Sequence, residues 1–255
     1  MSMKKLMIKG RVIGEGRPLV CVPIMETSRQ GILAEAKRLA ENKTEMVEWR
    51  VDAFEEVNSL NAVREVLQSL GEIFTETIFV YTFRSKAQGG LLELDEESIA
   101  DLREVAAESK VVDLVDLEFF ASENSSREIS KLQKMGVAII ASHHDFEQTP
   151  DKNTMEILLE KMLAGGADIV KLAVMPQSRA DVLSLLEVTS EFKENYPKAP
   201  VITMSMGAIG GISRIAGEYF GSCVTFGAGI KASAPGQIDC KQLETILDIL
   251  HESIS

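Results

Sequence analysis

The sequence predicts an α/β protein with the (β/α)8 TIM-barrel architecture, and three observations support this prediction. Apolar, β-branched runs alternate with longer amphipathic segments along almost the whole chain. Eight such strand–helix units can be counted in 255 residues, and barrels of this kind have about 250 residues. No Pro-, Ser- or Gly-rich linker divides the chain, so residues 1–255 are interpreted as a single barrel domain.

The predicted strands are short runs rich in Val, Ile, Thr and Phe. Strands of a parallel barrel are buried on both faces, which accounts for their nearly continuous apolar character. The eight runs span residues 19–25, 46–52, 77–84, 112–119, 137–144, 168–174, 200–205 and 222–226.

The segments between the strands have apolar residues at helical spacing. In the first segment, Ile32, Ala36 and Leu39 fall on one helix face. Several segments begin with a residue that caps helices well, such as Ser28 or Asp95. The predicted helices span residues 28–42, 59–70, 97–108, 126–135, 154–164, 179–196, 211–220 and 240–254.

Residues 6–14 precede the first strand–helix unit and are surplus to the barrel. We expect them to form an extra strand or hairpin that closes the barrel floor. A doubly wound open sheet is the alternative architecture. The GxGxxG turn expected of a dinucleotide-binding protein of that class is missing after the first strand.

Composition argues against several classes of protein. The net charge of −12 disfavours nucleic acid or an anionic membrane as a partner. No apolar stretch is long enough for a signal peptide or a membrane span, so we expect a cytoplasmic protein. Cys21, Cys223 and Cys240 are widely separated and lack CxxC spacing, which predicts neither a disulfide framework nor a zinc site.

Lys171 is the most informative single residue. It lies inside the apolar run of residues 168–174, where its ammonium has no obvious local partner. Burial disfavours the charged form of an amine, and a neutral amine attacks carbonyl compounds. The alternative is a lysine that extends to solvent or pairs with a carboxylate.

Charged residues cluster at the ends of the second and third strands. Period-two alternation sends Glu48, Arg50 and Asp52 to one strand face, and Arg84 ends the next strand. If that face points into the barrel, the charges must neutralise one another or bind a polar ligand. A purely structural set of ion pairs is the alternative.

The fifth strand ends with two adjacent histidines, His143 and His144. An imidazole titrates near neutral pH and can move protons in either direction. Adjacent strand residues point to opposite faces, so the pair is poorly placed to bind one metal ion, and no metal site is predicted. A pair of surface histidines is the alternative.

Glycine-rich turns follow the seventh and eighth strands, at residues 207–211 and 227–236. Many barrels bind phosphate at this position. Arg214, by contrast, offers a planar fork suited to a carboxylate. The residues leave the choice between these two anions open.

Several segments of the chain resemble the type I 3-dehydroquinases. The similarity covers nearly the whole chain, and the order and spacing of the segments agree with that family. The similar segments are EWRVD at residues 48–52, TFR at 82–84, HDF at 144–146, KLAVMP at 171–176, MSMG at 204–207, ISRIAGEYFGS at 212–222, TFG at 225–227 and KASAPGQ at 231–237.

This resemblance implies a barrel homodimer of the shikimate pathway of aromatic amino-acid biosynthesis. It would remove water from 3-dehydroquinate to give 3-dehydroshikimate, without metal or external cofactor. Lys171 would form a Schiff base with the substrate, and His144 would transfer protons. Arg214 would hold the substrate carboxylate. The other implied substrate contacts are Glu48, Arg50, Arg84, Ser233 and Gln237, with Met204 and Phe226 as apolar walls.

Two positions depart from the family pattern. Gln88 stands where the family usually has a glutamate that partners the histidine. A neutral amide cannot stabilise an imidazolium by charge, so we expect a lower pKa for His144 and a slower reaction than with glutamate. Pro23 occupies a position where the family has a small hydroxyl residue, which removes one expected substrate contact.

Two other functions remain open at this point. A Schiff-base barrel of the aldolase or transaldolase type would act on a sugar phosphate and use the glycine-rich turns to bind phosphate. A barrel that binds a carboxylate metabolite, but has lost turnover through Gln88, would not form an iminium at all.

Overall fold

The computed structural model describes residues 5–230 and 233–254. Within these residues, eight parallel strands form one sheet that curves into a barrel, which confirms the predicted fold class. The strands of the chain are β1 (Met7–Ile8), β2 (Arg11–Val12), β3 (Leu19–Ile24), β4 (Met46–Arg50), β5 (Ile78–Thr82), β6 (Leu114–Glu118), β7 (Ala138–Asp145), β8 (Ile169–Val174), β9 (Val201–Ser205) and β10 (Val224–Phe226).

The barrel strands follow one another in chain order, from β3 to β9, and β10 pairs with β3. Parallel neighbours need a crossover, and each crossover here contains helical residues that pack against the outside of the barrel. The helices are α1 (Arg29–Glu41), α2 (Leu60–Ile73), α3 (Glu96–Glu108), α4 (Ser125–Lys134), α5 (Lys152–Ala164), α6 (Arg179–Asn195), α7 (Gly211–Ile215), α8 (Gly217–Phe220) and α9 (Cys240–Glu252).

Most of the long helices begin with a side-chain cap. The Ser28 hydroxyl accepts a hydrogen bond from the Gly31 amide, and the Asp95 carboxylate accepts one from the Ser98 amide, as the sequence predicts. A cap of this kind satisfies an amide that has no partner within the helix. None of the helices in the described part of the chain is long and apolar enough to span a membrane.

Inward-facing residues divide the barrel interior into an apolar lower level and a polar upper level. Met46, Leu114 and Ile140 belong to the buried apolar cluster of the lower level. Two residues further along their strands, the inward positions carry Glu48, Asp116 and Ser142 instead. The change from apolar to polar residues therefore occurs along single strands, toward their carboxyl ends.

The N-terminal hairpin closes the apolar end of the barrel, as the sequence predicts. β1 pairs with β2 in antiparallel register through a two-residue turn at Lys9 and Gly10, whose φ angles are 46° and 78°. Two successive positive φ angles are typical of the tight turn that best matches strand twist. Ile8 and Ile13 are buried in the apolar cluster of the barrel interior.

Between β9 and β10 the barrel closes through a seam that is only partly a backbone ladder. The amide of Cys223 donates to the carbonyl of Val201 at 2.8 Å. The next bond uses a side chain, since the Thr203 amide donates to the Ser222 hydroxyl at 3.0 Å. Ser222 thus replaces a backbone acceptor where the two strands diverge.

Several predicted boundaries differ from the structure by a few residues, and two of the differences change how an element is described. β4 ends at Arg50, and residues Val51–Ala53 form a 3-10 turn, so Asp52 is not part of the strand. The predicted helix at residues 211–220 is two short helices that meet at Ala216. Gly217 lies close to the seam, since an added Cβ would be 2.7 Å from the Ser222 carbonyl oxygen.

Candidate active site

A cleft opens at the carboxyl ends of the barrel strands. Its empty space, which is continuous with open solvent, is about 440 Å³. Reactive groups of (β/α)8 barrels collect at this end of the barrel. The lining residues are Glu48, Arg50, Arg84, Gln88, Gly89, His144, Phe146, Lys171, Ala173, Met204, Met206, Phe226, Ser233, Ala234 and Gln237.

Ten of the eleven site residues predicted from the sequence line this cleft, and Arg214 does not. Arg214 lies behind the wall and contacts the backbone of Phe226 and Pro235. Lys231 and Ala232, which belong to one of the segments that resemble the known family, lie outside the described residues.

Arg84 is enclosed by oxygen atoms from β6 and β7. Its Nη2 donates to Asp116 Oδ1 at 2.7 Å, and its Nη1 donates to Glu118 Oε1 at 2.9 Å and Ser142 Oγ at 3.1 Å. Burial opposes the charge, but the two carboxylates outweigh it and raise the pKa of Arg84. Arg84 is therefore a permanent cation whose charge is neutralised inside the protein.

Lys171 lies in the cleft, but it is not isolated among apolar groups. Its Nζ is 3.3 Å from Asp116 Oδ2 and 3.9 Å from Glu48 Oε1, and it lies 4.3 Å from the centre of the Phe226 ring. As expected, the amine has no partner close to it in the sequence, but it does pair with a carboxylate, which was the alternative interpretation. Its partners are on strands remote in the sequence, and they reach it across the barrel.

His144 is held by Gln88. The Oε1 atom of Gln88 accepts from the backbone amide of His144 at 2.8 Å and lies 3.3 Å from Nδ1 of the ring. Because the backbone amide can only donate, the atom facing Nδ1 is an acceptor, and the neutral ring carries its proton on Nδ1. The Nε2 lone pair is then free to act as a base.

The charge state of His144 follows from its surroundings. Burial lowers the pKa of His144 well below its ordinary value, and the nearby charges of Arg84 and Lys171 lower it further. Gln88 is neutral and offers no compensating charge. His144 is therefore neutral at physiological pH and ready to accept a proton.

His143 has different surroundings. Its ring packs edge-on against Phe120 with centroids 5.4 Å apart, and its Nδ1 is buried without a partner among the described residues. Burial also lowers the pKa of His143. As the alternation of strand side chains predicts, only His144 of the two lines the cleft.

Arg50 and Asp52 form a closed ion pair at the rim. Two parallel hydrogen bonds join them, Nε to Oδ1 and Nη2 to Oδ2, both at 2.8 Å. Asp52 also accepts from the backbone amides of Arg84 and Leu91. Asp52 lies in the 3-10 turn rather than in β4, but its carboxylate still pairs with Arg50. Through the Arg84 amide, Asp52 also holds the chain at the end of β5.

Arg214 is buried with no carboxylate partner in the part of the chain that the structure describes. It is 1% exposed, and its Nη1 and Nη2 donate to the carbonyls of Phe226 at 3.4 Å and Pro235 at 2.9 Å. Its Nε has no hydrogen-bond partner among the described residues. Burial lowers the pKa of Arg214 to about 10, so the group remains charged at neutral pH. A buried cation without a counter-ion attracts an anionic ligand.

The segment after β10 covers one side of the cleft. Gln237 accepts from the Ser233 amide and donates to the Ser233 hydroxyl, which orients both side chains together. The Gly207 amide donates to the Pro235 carbonyl, and the Gly211 amide to the Ala208 carbonyl. These two amides are thus satisfied within the protein and are not free to bind phosphate, which argues against the sugar-phosphate alternative.

Three polar residues of the site were missed in the sequence. Asp116, Glu118 and Ser142 are all buried beneath Arg84. The same period-two reasoning that selected Glu48 applies to residues 112–119, where Asp116 and Glu118 fall on one face. The alternation of polar residues in this strand could therefore have predicted Asp116 and Glu118 as site residues.

Comparisons with known proteins agree with this geometry. A family model described as type I 3-dehydroquinase matches residues 20–254. The chain is 44% identical over 252 residues to 3-dehydroquinate dehydratase of Bacillus subtilis, covering 98% of this chain and 99% of that protein. It is 45% identical over 254 residues to the enzyme of the same name from Clostridium botulinum, covering 99% and 100%.

Solved structures give the same result. The type I 3-dehydroquinate dehydratase of Clostridium difficile, covalently modified by comenic acid, superposes with a TM-score of 0.94 at 42% identity, covering 98% of this chain and 99% of that one. The 3-dehydroquinate dehydratase of Geobacillus kaustophilus gives a TM-score of 0.94 at 35% identity, covering 98% and 97%.

Proposed function

The chain belongs to the type I 3-dehydroquinase family, and we propose that it converts 3-dehydroquinate to 3-dehydroshikimate through a Schiff base on Lys171. This is the elimination of water by a hydro-lyase. The observation that carries the proposal is the placement of Lys171, which is 3% exposed and faces a cleft that also contains the imidazole of His144.

The first chemical step joins the amine to the ring ketone. Condensation forms a C–N bond, breaks the ketone C=O bond and releases that oxygen as water. The resulting iminium withdraws electrons from the adjacent carbon and acidifies its C–H bond. The face of Phe226, 4.3 Å from Lys171 Nζ, is suited to a cation at this position.

His144 then transfers protons in both directions. With Nδ1–H donated to Gln88, the Nε2 atom accepts the proton from the carbon next to the iminium. The imidazolium formed in this way donates a proton to the β-hydroxyl group as the C–O bond breaks, and water leaves. Hydrolysis of the iminium regenerates Lys171 and releases the enone product.

The charged groups around the cleft support recognition of an anionic, hydroxylated substrate. We assign Arg214 to the substrate carboxylate, because within residues 5–230 and 233–254 its guanidinium has no carboxylate partner and its Nε is unpaired. The contribution of a carboxylate there is large, since hydrogen bonds to charged groups are worth about 1.5–3 kcal/mol. The remaining assigned contacts are Glu48, Arg50, Arg84, Ser233 and Gln237 for the polar groups and Met204 and Phe226 for the ring.

Reductive trapping tests the nucleophile and the substrate together. Borohydride added with 3-dehydroquinate should reduce the iminium, and peptide mass spectrometry should locate the added mass on Lys171. Turnover is followed by the ultraviolet absorbance of the conjugated enone. Absence of both the adduct and the absorbance would refute the proposed reaction.

Lysine variants give the matched control. Lys171→Met should abolish both trapping and turnover. Lys193→Met changes a lysine outside the cleft, in the last turn of α6, and should retain both. Equal turnover of Lys171→Met and the unchanged protein would rule out the Schiff base.

We further propose a cytoplasmic homodimer that serves the shikimate pathway, built on a single barrel domain. The free cysteines Cys21, Cys223 and Cys240 suit a reducing compartment. Ile212 and Ile249 are exposed apolar side chains on neighbouring helices that a second copy could cover. Light scattering after size-exclusion chromatography should give twice the mass of one chain, and a monomer at micromolar concentration would contradict the dimer.

A further inference from the structure

Asp116 is a buried carboxylate that the proposed reaction has not yet used. It lies in the middle of β6 and is 0% exposed. Its Oδ1 accepts from Arg84 Nη2 at 2.7 Å and from Ser142 Oγ at 2.6 Å, which leaves Oδ2 facing Lys171 Nζ at 3.3 Å. One oxygen is thus held by fixed donors, and the other is directed at the reacting nitrogen.

Asp116 is ionised throughout the working pH range. Burial alone raises the pKa of Asp116, but the charges of Arg84 and Lys171 outweigh it and lower the pKa to about 2. The carboxylate is therefore unsuited to accept a proton from the amine. It is a fixed negative charge rather than a general base.

The charge on Lys171 nitrogen is the same before and after condensation. An ammonium and a ketone give an iminium and one water molecule, with the water carrying the ketone oxygen and two ammonium protons. Both nitrogen species carry one positive charge and at least one N–H bond. An anion placed to stabilise the ammonium is thus already placed to stabilise the iminium, without reorganisation of the site.

On this basis, which rests on the proposed Schiff-base reaction, we propose that Asp116 is the counter-ion of the Lys171 iminium. It keeps the iminium protonated, and so maintains the electron sink during removal of the carbon-bound proton. Glu48 is a weaker candidate for this role, because its Oε1 is 3.9 Å from Nζ and accepts a hydrogen bond from Thr82.

The test is the pH dependence of the Asp116→Asn variant. Loss of the anion favours the neutral imine, so the alkaline limb of the kcat profile should move to lower pH by about one unit or more, and kcat should fall by about 10-fold or more at pH 8. Borohydride trapping across the same pH range should lose adduct with the same midpoint. An alkaline limb unchanged from the parent protein would overturn the proposal.

Glu118→Gln is the matched control. Glu118 lies on the same strand and binds the same arginine, but its hydrogen bonds go to Arg84 and the Ser85 amide rather than to Lys171. It should alter KM and leave the alkaline limb in place. An equal shift in both variants would show that Arg84, rather than the iminium, causes the effect.

Asp116→Glu retains the charge and also serves if Asp116→Asn does not fold, as judged by circular dichroism. Its alkaline limb should stay within a few tenths of a pH unit of the parent even where kcat falls, and a shift as large as a full unit would contradict the role of charge. Failure of the unchanged protein to trap any substrate would instead refute the Schiff-base reaction itself, so the two outcomes are distinguishable.

Discussion

Two buried arginines on opposite sides of the barrel mouth have opposite electrostatic surroundings. Arg84 is bound by two carboxylates and a serine, whereas among the described residues Arg214 is bound by two backbone carbonyls and keeps an unpaired Nε. The pKa of Arg84 is raised, and that of Arg214 is lowered to about 10. A fully neutralised guanidinium holds the protein together, while a buried guanidinium that is not neutralised favours an anion beside it.

The largest expected effect is on stability, in Arg84→Met. The substitution leaves Asp116 and Glu118 buried without their guanidinium, and breaking a buried ion pair costs about 3–5 kcal/mol. Urea unfolding at pH 7.5 measures the loss of free energy of unfolding. Without Arg84 the pKa of Asp116 loses the guanidinium charge that lowers it, so Asp116 is protonated at higher pH in the folded state and the deficit should shrink as pH falls.

Arg214→Met should separate binding from stability. It removes hydrogen bonds to two carbonyls but leaves no carboxylate unpaired, so the free energy of unfolding should fall by only about 1–2 kcal/mol. The value of kcat/KM for 3-dehydroquinate should fall about 10- to 100-fold, mainly through KM. If Arg214→Met destabilises the protein as strongly as Arg84→Met, the contrast between the two arginines is incorrect.

Gln88→Glu extends the comparison to the imidazole. A carboxylate beside Nδ1 favours the imidazolium, so the pKa of His144 should rise, and the acid limb of kcat/KM should move to higher pH by about one unit. The parent protein, whose His144 pKa is lowered, should retain activity further into the acid range. At the plateau, the variant should be faster by up to about tenfold, the factor that one pKa unit represents.

This prediction is tested by measuring the pH–rate profiles of the parent protein and of Gln88→Glu with the same substrate. Identical rates at every pH would show that the charge at position 88 has no influence on proton transfer. Thermal unfolding of each variant checks that the difference does not arise from loss of folded protein.

The smallest expected effect is in His143→Leu. The ring of His143 packs on Phe120 outside the cleft, and its Nδ1 is buried without a partner in the described residues. Replacing such a group by an apolar one of similar size is close to neutral. Turnover should stay within about twofold of the parent, whereas His144→Leu should remove it, and a large loss in His143→Leu would contradict the separate roles of the two histidines.

Strand periodicity predicts the barrel and the inward-facing charges of its second and third strands, because both depend on local order, whereas most of the other cleft residues were implied by the family resemblance. Strand periodicity places the side chains of His144 and Glu48 inward, and parallel strands bring their ends together. The environment of Lys171 could not be obtained in the same way. Its partners Asp116 and Glu48 lie 55 and 123 positions earlier in the chain, and only the closed sheet brings them within reach.

The state of Arg214 was equally inaccessible to sequence reasoning. The position of a lysine or arginine in the sequence does not show how many anions surround it after folding. The same applies to Gln88. Its side-chain oxygen contacts both the backbone amide and the ring of His144, and the turn that positions it continues into Gly89, whose φ is 83°. The periodicity of the sequence predicts which side chains lie near one another. The charges that surround each side chain in the folded protein determine its protonation state and its role.

The edge between β9 and β10, which is joined partly through the Ser222 side chain, affects where the barrel can open locally. β10 pairs with β3 through only three residues, and its other edge is joined to β9 largely through Ser222 and Cys223. A strand with so few ladder bonds has the lowest resistance to local opening. We therefore expect local opening of the barrel to concentrate at β10 rather than at the strands that have backbone ladders on both sides.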